Sequence, residues 1–228
     1  TYPDPAGATL GAHVGVIVTN GVQTLDINFG NTVAIDFGDA PTAAQSGLAA
    51  SYPTTLAQNG ARHGILPGFG LGPANDGEGD GQPTLNALGD DNTGAVDDED
   101  GVIIPGLTPG QTVNALISVR NGSYSAGLLQ GWIDWNRDGD WDDAGEQVVS
   151  NRLVREQLAP HLVPINVPAD APLGTTYARF RYGYETGLGP TGPAGAGEVE
   201  DHLVAVLDVL PVAVADCFGG GGTIPGCV

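Results

Sequence analysis

Residues Gly131 to Gln147 read GWIDWNRDGDWDDAGEQ. An apolar run, Trp132, Ile133 and Trp135, leads into Asp134, Asn136, Asp138, Asp140, Asp142, Asp143 and Glu146, and the chain leaves through Gln147-Val148-Val149. Both flanks read as β-strand, so the stretch is a strand, a dense acidic loop and a second strand. Asp134, Asn136 and Asp138 stand at positions 1, 3 and 5 with Gly139 at 6, the opening of an EF-hand-type calcium loop. Alternating oxygen ligands and a glycine at the sharp turn let a short chain wrap a hard cation. Position 7 ligates through its carbonyl, so Asp140 need not use its side chain. An EF-hand closes with a bidentate Glu at position 12; here Gly145 stands at 12 and Glu146 follows it. Carboxylates this close repel by roughly 1 to 4 kcal/mol per pair, and a cation relieves that repulsion. The expectation is a calcium loop set between β-strands, against the plainer alternative of a solvated acidic turn.

The rest of the chain agrees with strands rather than helices. Among 228 residues there are 37 Gly and 17 Pro, which favours many turns. No segment sustains a 3.6-residue apolar period, and Val, Ile, Thr and Tyr dominate the apolar runs. An all-β fold is expected, a β-sandwich of jelly-roll or immunoglobulin-like type with long acidic loops. A net charge of -20 argues against nucleic acid or an anionic membrane as partner. No stretch reaches the 18 or so apolar residues that a membrane span needs. All seven basic residues are Arg, which excludes Lys-based isopeptide or Schiff-base chemistry. The start, Thr1-Tyr2-Pro3-Asp4, is not a signal peptide, so the chain reads as processed or excised from a longer one. Cys217 and Cys227 flank a glycine-rich loop and lack a CxxC spacing, so a structural disulfide and an exported protein are expected. Such a bond would constrain the unfolded chain by roughly 2.5 to 3 kcal/mol.

Three segments are expected: 1–32, a hairpin; 33–208, the sandwich; and 209–228, a strand with the disulfide loop. In the first, His13 to Val18 and Val22 to Phe29 flank Asn20-Gly21, a strong hairpin signal. In the last, Val209 to Ala215 is an apolar run whose Pro211 makes it an edge strand. Both extensions are apolar and need a partner. They either fold back on their own domain or exchange with neighbouring copies by strand addition.

Between them lie Asp36-Phe37-Gly38-Asp39, Asp76-Gly77-Glu78-Gly79-Asp80-Gly81, Asp97-Asp98-Glu99-Asp100-Gly101 and Gly197-Glu198-Val199-Glu200-Asp201. With the pentad at Gly197 to Asp201, the chain from about Val33 to Val209 resembles the GEVED domain of bacterial secreted and surface proteins. The DINFGNT ending of the first segment resembles the last strand of serine-aspartate-repeat B-type immunoglobulin-like domains. The resemblance implies an extracellular β-sandwich module found beside peptidases and adhesion domains, and gives a setting more than an activity.

The residues themselves point to further cation sites. Asp76, Glu78 and Asp80 repeat the 1-3-5 spacing without a closing carboxylate. Asp97, Asp98, Glu99 and Asp100 are four carboxylates in a row and cannot all face one ion from an extended chain, so Asp36, Asp39, Glu198, Glu200 and Asp201, beside strands expected to be central, would supply the rest. Arg179 and Arg181 alternate on one face of a strand from Thr176 to Tyr184, expected to form buried salt bridges or, more sharply, to hold an anionic glycan. Asn121-Gly122-Ser123 is both a turn and a glycosylation sequon. The four histidines show no ligand spacing, no Ser has a GxSxG context, and no carboxylate pair is placed in an apolar cleft, so no enzyme is expected. The leading expectation is a calcium-stiffened structural module of an extracellular filament, stalk or adhesin, with copies of itself or neighbouring domains as partners. The alternative is an accessory domain of a secreted enzyme that binds a surface glycan.

Overall fold

The structure is a computed structural model that describes residues 34–89, 98–122, 124–157 and 159–208. The N-terminal hairpin with its DINFGNT ending, Asp97, Ser123, and the C-terminal strand with Cys217 and Cys227 lie outside the described residues.

Among the described residues eleven strands follow in order: β1 (Ile35–Phe37), β2 (Arg62–Gly64), β3 (Gly70–Leu71), β4 (Val102–Ile103), β5 (Thr112–Ile117), β6 (Val119–Arg120), β7 (Gly127–Ile133), β8 (Gln147–Val154), β9 (His161–Asn166), β10 (Gly174–Gly183) and β11 (Pro193–Val206). Helix among the described residues amounts to one turn, Ala43–Ser46, and one 3₁₀ turn, Leu56–Gln58. The all-β expectation holds. One sheet has six strands in the order β1-β2-β11-β10-β7-β8, antiparallel except where β2 runs parallel to β11. Facing it are a three-stranded sheet, β4-β5-β9, and the pair β3-β6.

Period-2 alternation on β10 builds the layers. Ala178, Phe180 and Tyr182 join Ala115 and Ile117 of β5, Val163 and Ile165 of β9, and Phe69 and Leu71 in the main core, which makes the molecule a sandwich. Gly131 makes room in that core, because a side chain there would overlap the Phe180 ring. Tyr177 points the other way, into a second cluster with Trp132, Trp141, Tyr52, Ala40 and Ala87. The second face of the large sheet is thus covered as well, by chain from the 38–89 region and by the loop after β7. This explains why β10 is buried on both sides from Thr176 onward.

β11 sits inside the sheet as expected, but β1, which carries Asp36, is its edge strand. Among the described residues its three residues pair only with β2, so Asp36 comes to β11 through a side-chain contact and not through strand pairing.

Candidate metal centres

The acidic loop runs from the end of β7 to the start of β8, strand to strand, as its flanks suggested. Its side-chain oxygens turn inward onto its own amides. Asp134 accepts from the amides of Arg137 (2.5 Å) and Gly139 (3.0 Å), Asn136 from Asp138 (3.1 Å), Asp138 from Asp140 (3.3 Å) and Asp140 from Asp142 (2.9 Å). Gly139 has φ +100°, the left-handed turn that position 6 requires. A side chain there would also strike the Ala50 carbonyl, so the loop packs tightly on the covering layer, where Ala50 N donates to Asp138 O (2.9 Å).

Asp134 and Glu146 form a buried floor, 0% and 2% exposed. Glu146, one place late for an EF-hand, reaches back so that its two oxygens accept from the amides of Trp135 (2.9 Å) and Asp143 (3.2 Å). Burial raises the Glu146 carboxyl to about 7, with the charges of Asp134 and Asp138 adding to the rise and the two amides opposing it. Burial likewise raises Asp134, against the hydrogen bonds that favour its charge. Above this floor Asp138, Asp140 and Asp143 each offer an oxygen within 4.8 Å of the others. The loop's one base, Arg137, donates to the Leu173 carbonyl (3.2 Å). Asp143, counted among the loop's acids but not among its expected ligands, takes a hydrogen bond from Asn136 Nδ2 (2.5 Å), and Tyr52, outside the sequence reading, donates its hydroxyl to Asp134 Oδ2 (2.6 Å). Asp143 had a signal in its proximity to Glu146; Tyr52, 82 residues away in a polar stretch, had none.

The second concentration of charge is on β11, at Gly197-Glu198-Val199-Glu200-Asp201. Register across the sheet sets which way each acid faces. Glu198 pairs with Tyr182 and Glu200 with Phe180, so both carboxylates enter the sandwich interior, while Asp201 pairs with Arg179 on the opposite face. All three are 0% exposed. Residues 128–205 match the GEVED domain. The match runs from β7 into β11, narrower than the expected 33–208, and leaves β1 to β6 outside it. Comparisons with curated proteins and with solved structures found no match. GEVED domains occur in extracellular proteins, and among the described residues no helix is long and apolar enough to cross a membrane.

The GEVED pentad divides its acids between two kinds of partner. Asp201 receives Arg179 in two parallel bonds, Nε to Oδ1 (2.7 Å) and Nη2 to Oδ2 (2.6 Å), and Ala40 N as well (2.8 Å). Arg179 also lies over the Trp141 ring at 4.3 Å. This is the buried salt bridge expected of the strand, and it makes Asp201 an ion-pair partner in place of a cation ligand. Arg181 differs from its expected pairing: it donates to His63 Nε2 (3.1 Å) and to the carbonyls of Gly189, Thr191 and Gly192. Both guanidinium groups are 0% exposed, so no glycan reaches them.

On the interior side Glu198 Oε2 accepts from Leu71 N (2.5 Å) and Glu200 Oε1 from Gly101 N (2.9 Å). Glu200 also meets His202 Nε2 at 3.0 Å, and with Glu99 these three make one group of potential ligands. Asp36, Glu78 and Asp98 make another, so the neighbours Asp98 and Glu99 serve different groups. The remaining expected ligands are dispersed. Asp39 accepts from the amides of Gln82 (3.1 Å) and Gly89 (2.5 Å), and Asp80 from Leu56 (2.6 Å) and Gly81 (2.9 Å). Asp76 contributes its amide to Asp98 Oδ2 (3.2 Å), and Asp100 packs against Gly72, where a side chain would not fit. The 1-3-5 spacing of Asp76, Glu78 and Asp80 therefore does not close into one loop, because separate backbone amides draw Glu78 and Asp80 apart. The sequon is also closed: Asn121, 4% exposed, donates to the Tyr182 hydroxyl (3.2 Å) and accepts from Glu156 N (3.1 Å).

Proposed function

We propose that this chain is a non-enzymatic, calcium-stabilised structural module of an extracellular bacterial filament, stalk or adhesin, whose copies join by exchanging terminal strands. One observation carries the calcium part. The loop after β7 holds Asp134 and Glu146 buried beneath Asp138, Asp140 and Asp143 while its one base donates elsewhere. Hard oxygen ligands in this arrangement suit calcium, at a stability that then depends on its concentration. The GEVED match supports the extracellular setting. Negative-stain microscopy of native material in calcium and after chelation tests the assembly. Filaments that loosen in chelator support it; isolated particles in both conditions overturn strand exchange.

A second reading, a glycan-binding accessory domain, is favoured by one feature. Exposed Tyr124 lies with Asn121, Arg155, Glu156 and Gln157 around a surface recess of about 490 Å³. The three tryptophans do not support it, since Trp132, Trp135 and Trp141 are all buried. A glycan array that gives a hit lost on Tyr124→Ala would move this reading ahead.

A further inference from the structure

The interior face of β11 carries a site of its own. Asp36 on β1, Glu78 in the 76–80 segment and Asp98 before β4 each bring a carboxylate oxygen within 4.8 Å of the others. Asp36 is 1% and Asp98 4% exposed. Val199 N donates to Asp36 Oδ2 (2.6 Å), which sets that carboxylate beside Glu198 in the sheet. Glu198 is fully buried, and its Oε1 has no hydrogen-bond partner among the described residues. A buried carboxylate oxygen left so is costly unless a proton or a cation meets it. The guanidinium groups whose charge reaches this group have other bonds: Arg120 donates to Asn75 Oδ1 (3.2 Å), and Arg181 to carbonyls and His63. Gly70 clears the space over Glu198, since a side chain there would overlap its Oε2.

We propose that Asp36, Glu78, Asp98 and Glu198 form a second divalent-cation site, separate from the loop, that clamps β1, the 76–80 segment and the chain before β4 onto β11. The ligands are all carboxylate oxygens, which selects a hard cation over zinc or copper. They come from four separate segments, and most are shut off from water. That suits calcium, which accepts irregular dehydrated cages, more than magnesium, which keeps its waters. The site stands whether or not the loop binds an ion.

The test is calcium titration calorimetry on the full chain stripped with chelator, with thermal unfolding in calcium and in chelator. Glu198→Gln keeps the shape of the side chain and removes its charge. It should bind one ion fewer than the wild type. It should melt higher than the wild type in chelator, where a like charge has been removed, and lower in calcium by at least about 5 °C. Asp98→Asn should show the same reversal, and serves if Glu198→Gln does not fold. Asp134→Asn should leave this site intact, so loss of the loop ion alone separates the two sites. A wild type that binds no ion overturns the proposal. So does Glu198→Gln with an unchanged ion count, or with an unchanged melting point in both conditions, which would mark Glu198 as a neutral core acid. If Asp134→Asn also keeps every ion, the loop reading fails independently.

Discussion

The two faces of β11 solve the same electrostatic problem in different ways. On one face Asp201 meets Arg179 in a bidentate pair roofed by Trp141, so the charge is balanced within the chain. On the other, Glu198 and Glu200 enter an apolar sandwich beside Phe180 and Tyr182 and face further carboxylates. Three acids within four residues, all fully buried, thus have stabilities that answer to different variables. On the proposed reading, the arginine face depends on the sequence alone, and the carboxylate face on the ions in the solution around it. The chain has seven basic residues against 27 acids, so most of its acids have no arginine to meet.

The largest effect expected is on the arginine face. Arg179→Ala leaves Asp201 buried and uncompensated, at about 3 to 5 kcal/mol. Urea unfolding should give the same loss in calcium and in chelator; a loss that calcium repairs would break the contrast. Next comes the loop. Asp134→Asn should remove the calcium-dependent part of stability assigned to that site, about 2.7 kcal/mol at a hundredfold excess over Kd. The measurement is the difference between melts in calcium and in chelator, and an unchanged difference would remove the loop from the carboxylate class.

A pH series in chelator sharpens the comparison further. Glu146 is raised from 4.5 to about 7 in the fold, so its contribution is full below about pH 4.5 and is lost as pH rises through about 7. His63 is held well below its ordinary 6.5 by burial and the neighbouring Arg181 charge. A base so depressed contributes fully above about pH 6.5, and that contribution is lost as pH falls. The two slopes oppose each other in the wild type. Glu146→Gln should uncover a melting point that rises with pH, and His63→Gln one that falls; the same slope in both variants would show that neither group sets it. The smallest effect is Tyr52→Phe, which deletes the hydrogen bond to Asp134 and should cost about 1 kcal/mol in chelator. No change there would mean that the covering layer holds the loop by packing alone.

What the sequence disclosed follows from the range of each interaction. The loop was legible because its ligands, its glycine and its two flanking strands are contiguous, from Trp132 to Val149. The faces of β10 were legible because alternation is local, with Arg179 and Arg181 opposite Phe180 and Tyr182. The division of the pentad was not, since it depends on register with Tyr182, Phe180 and Arg179. Spacing misled at Asp76, Glu78 and Asp80 because the amides that claim Glu78 and Asp80 belong to Phe37 and Leu56. The covering layer was invisible for a similar reason: Tyr52 and Ala40 look like loop residues until they lie against Trp141 and Tyr177. His202 was dismissed for want of a ligand spacing, yet β11 places it beside Glu200 and Glu99.

The parallel seam between β2 and β11 governs when the molecule can form at all. Asp36 waits 163 residues for the Val199 amide, and β2 has no inner neighbour until β11 exists. Contacts of such long range form late and slowly. A polypeptide threaded N-terminus first across a membrane would therefore keep its first acidic segments open throughout the passage. Its layers would close only on the far side, in whatever ionic medium awaits it there.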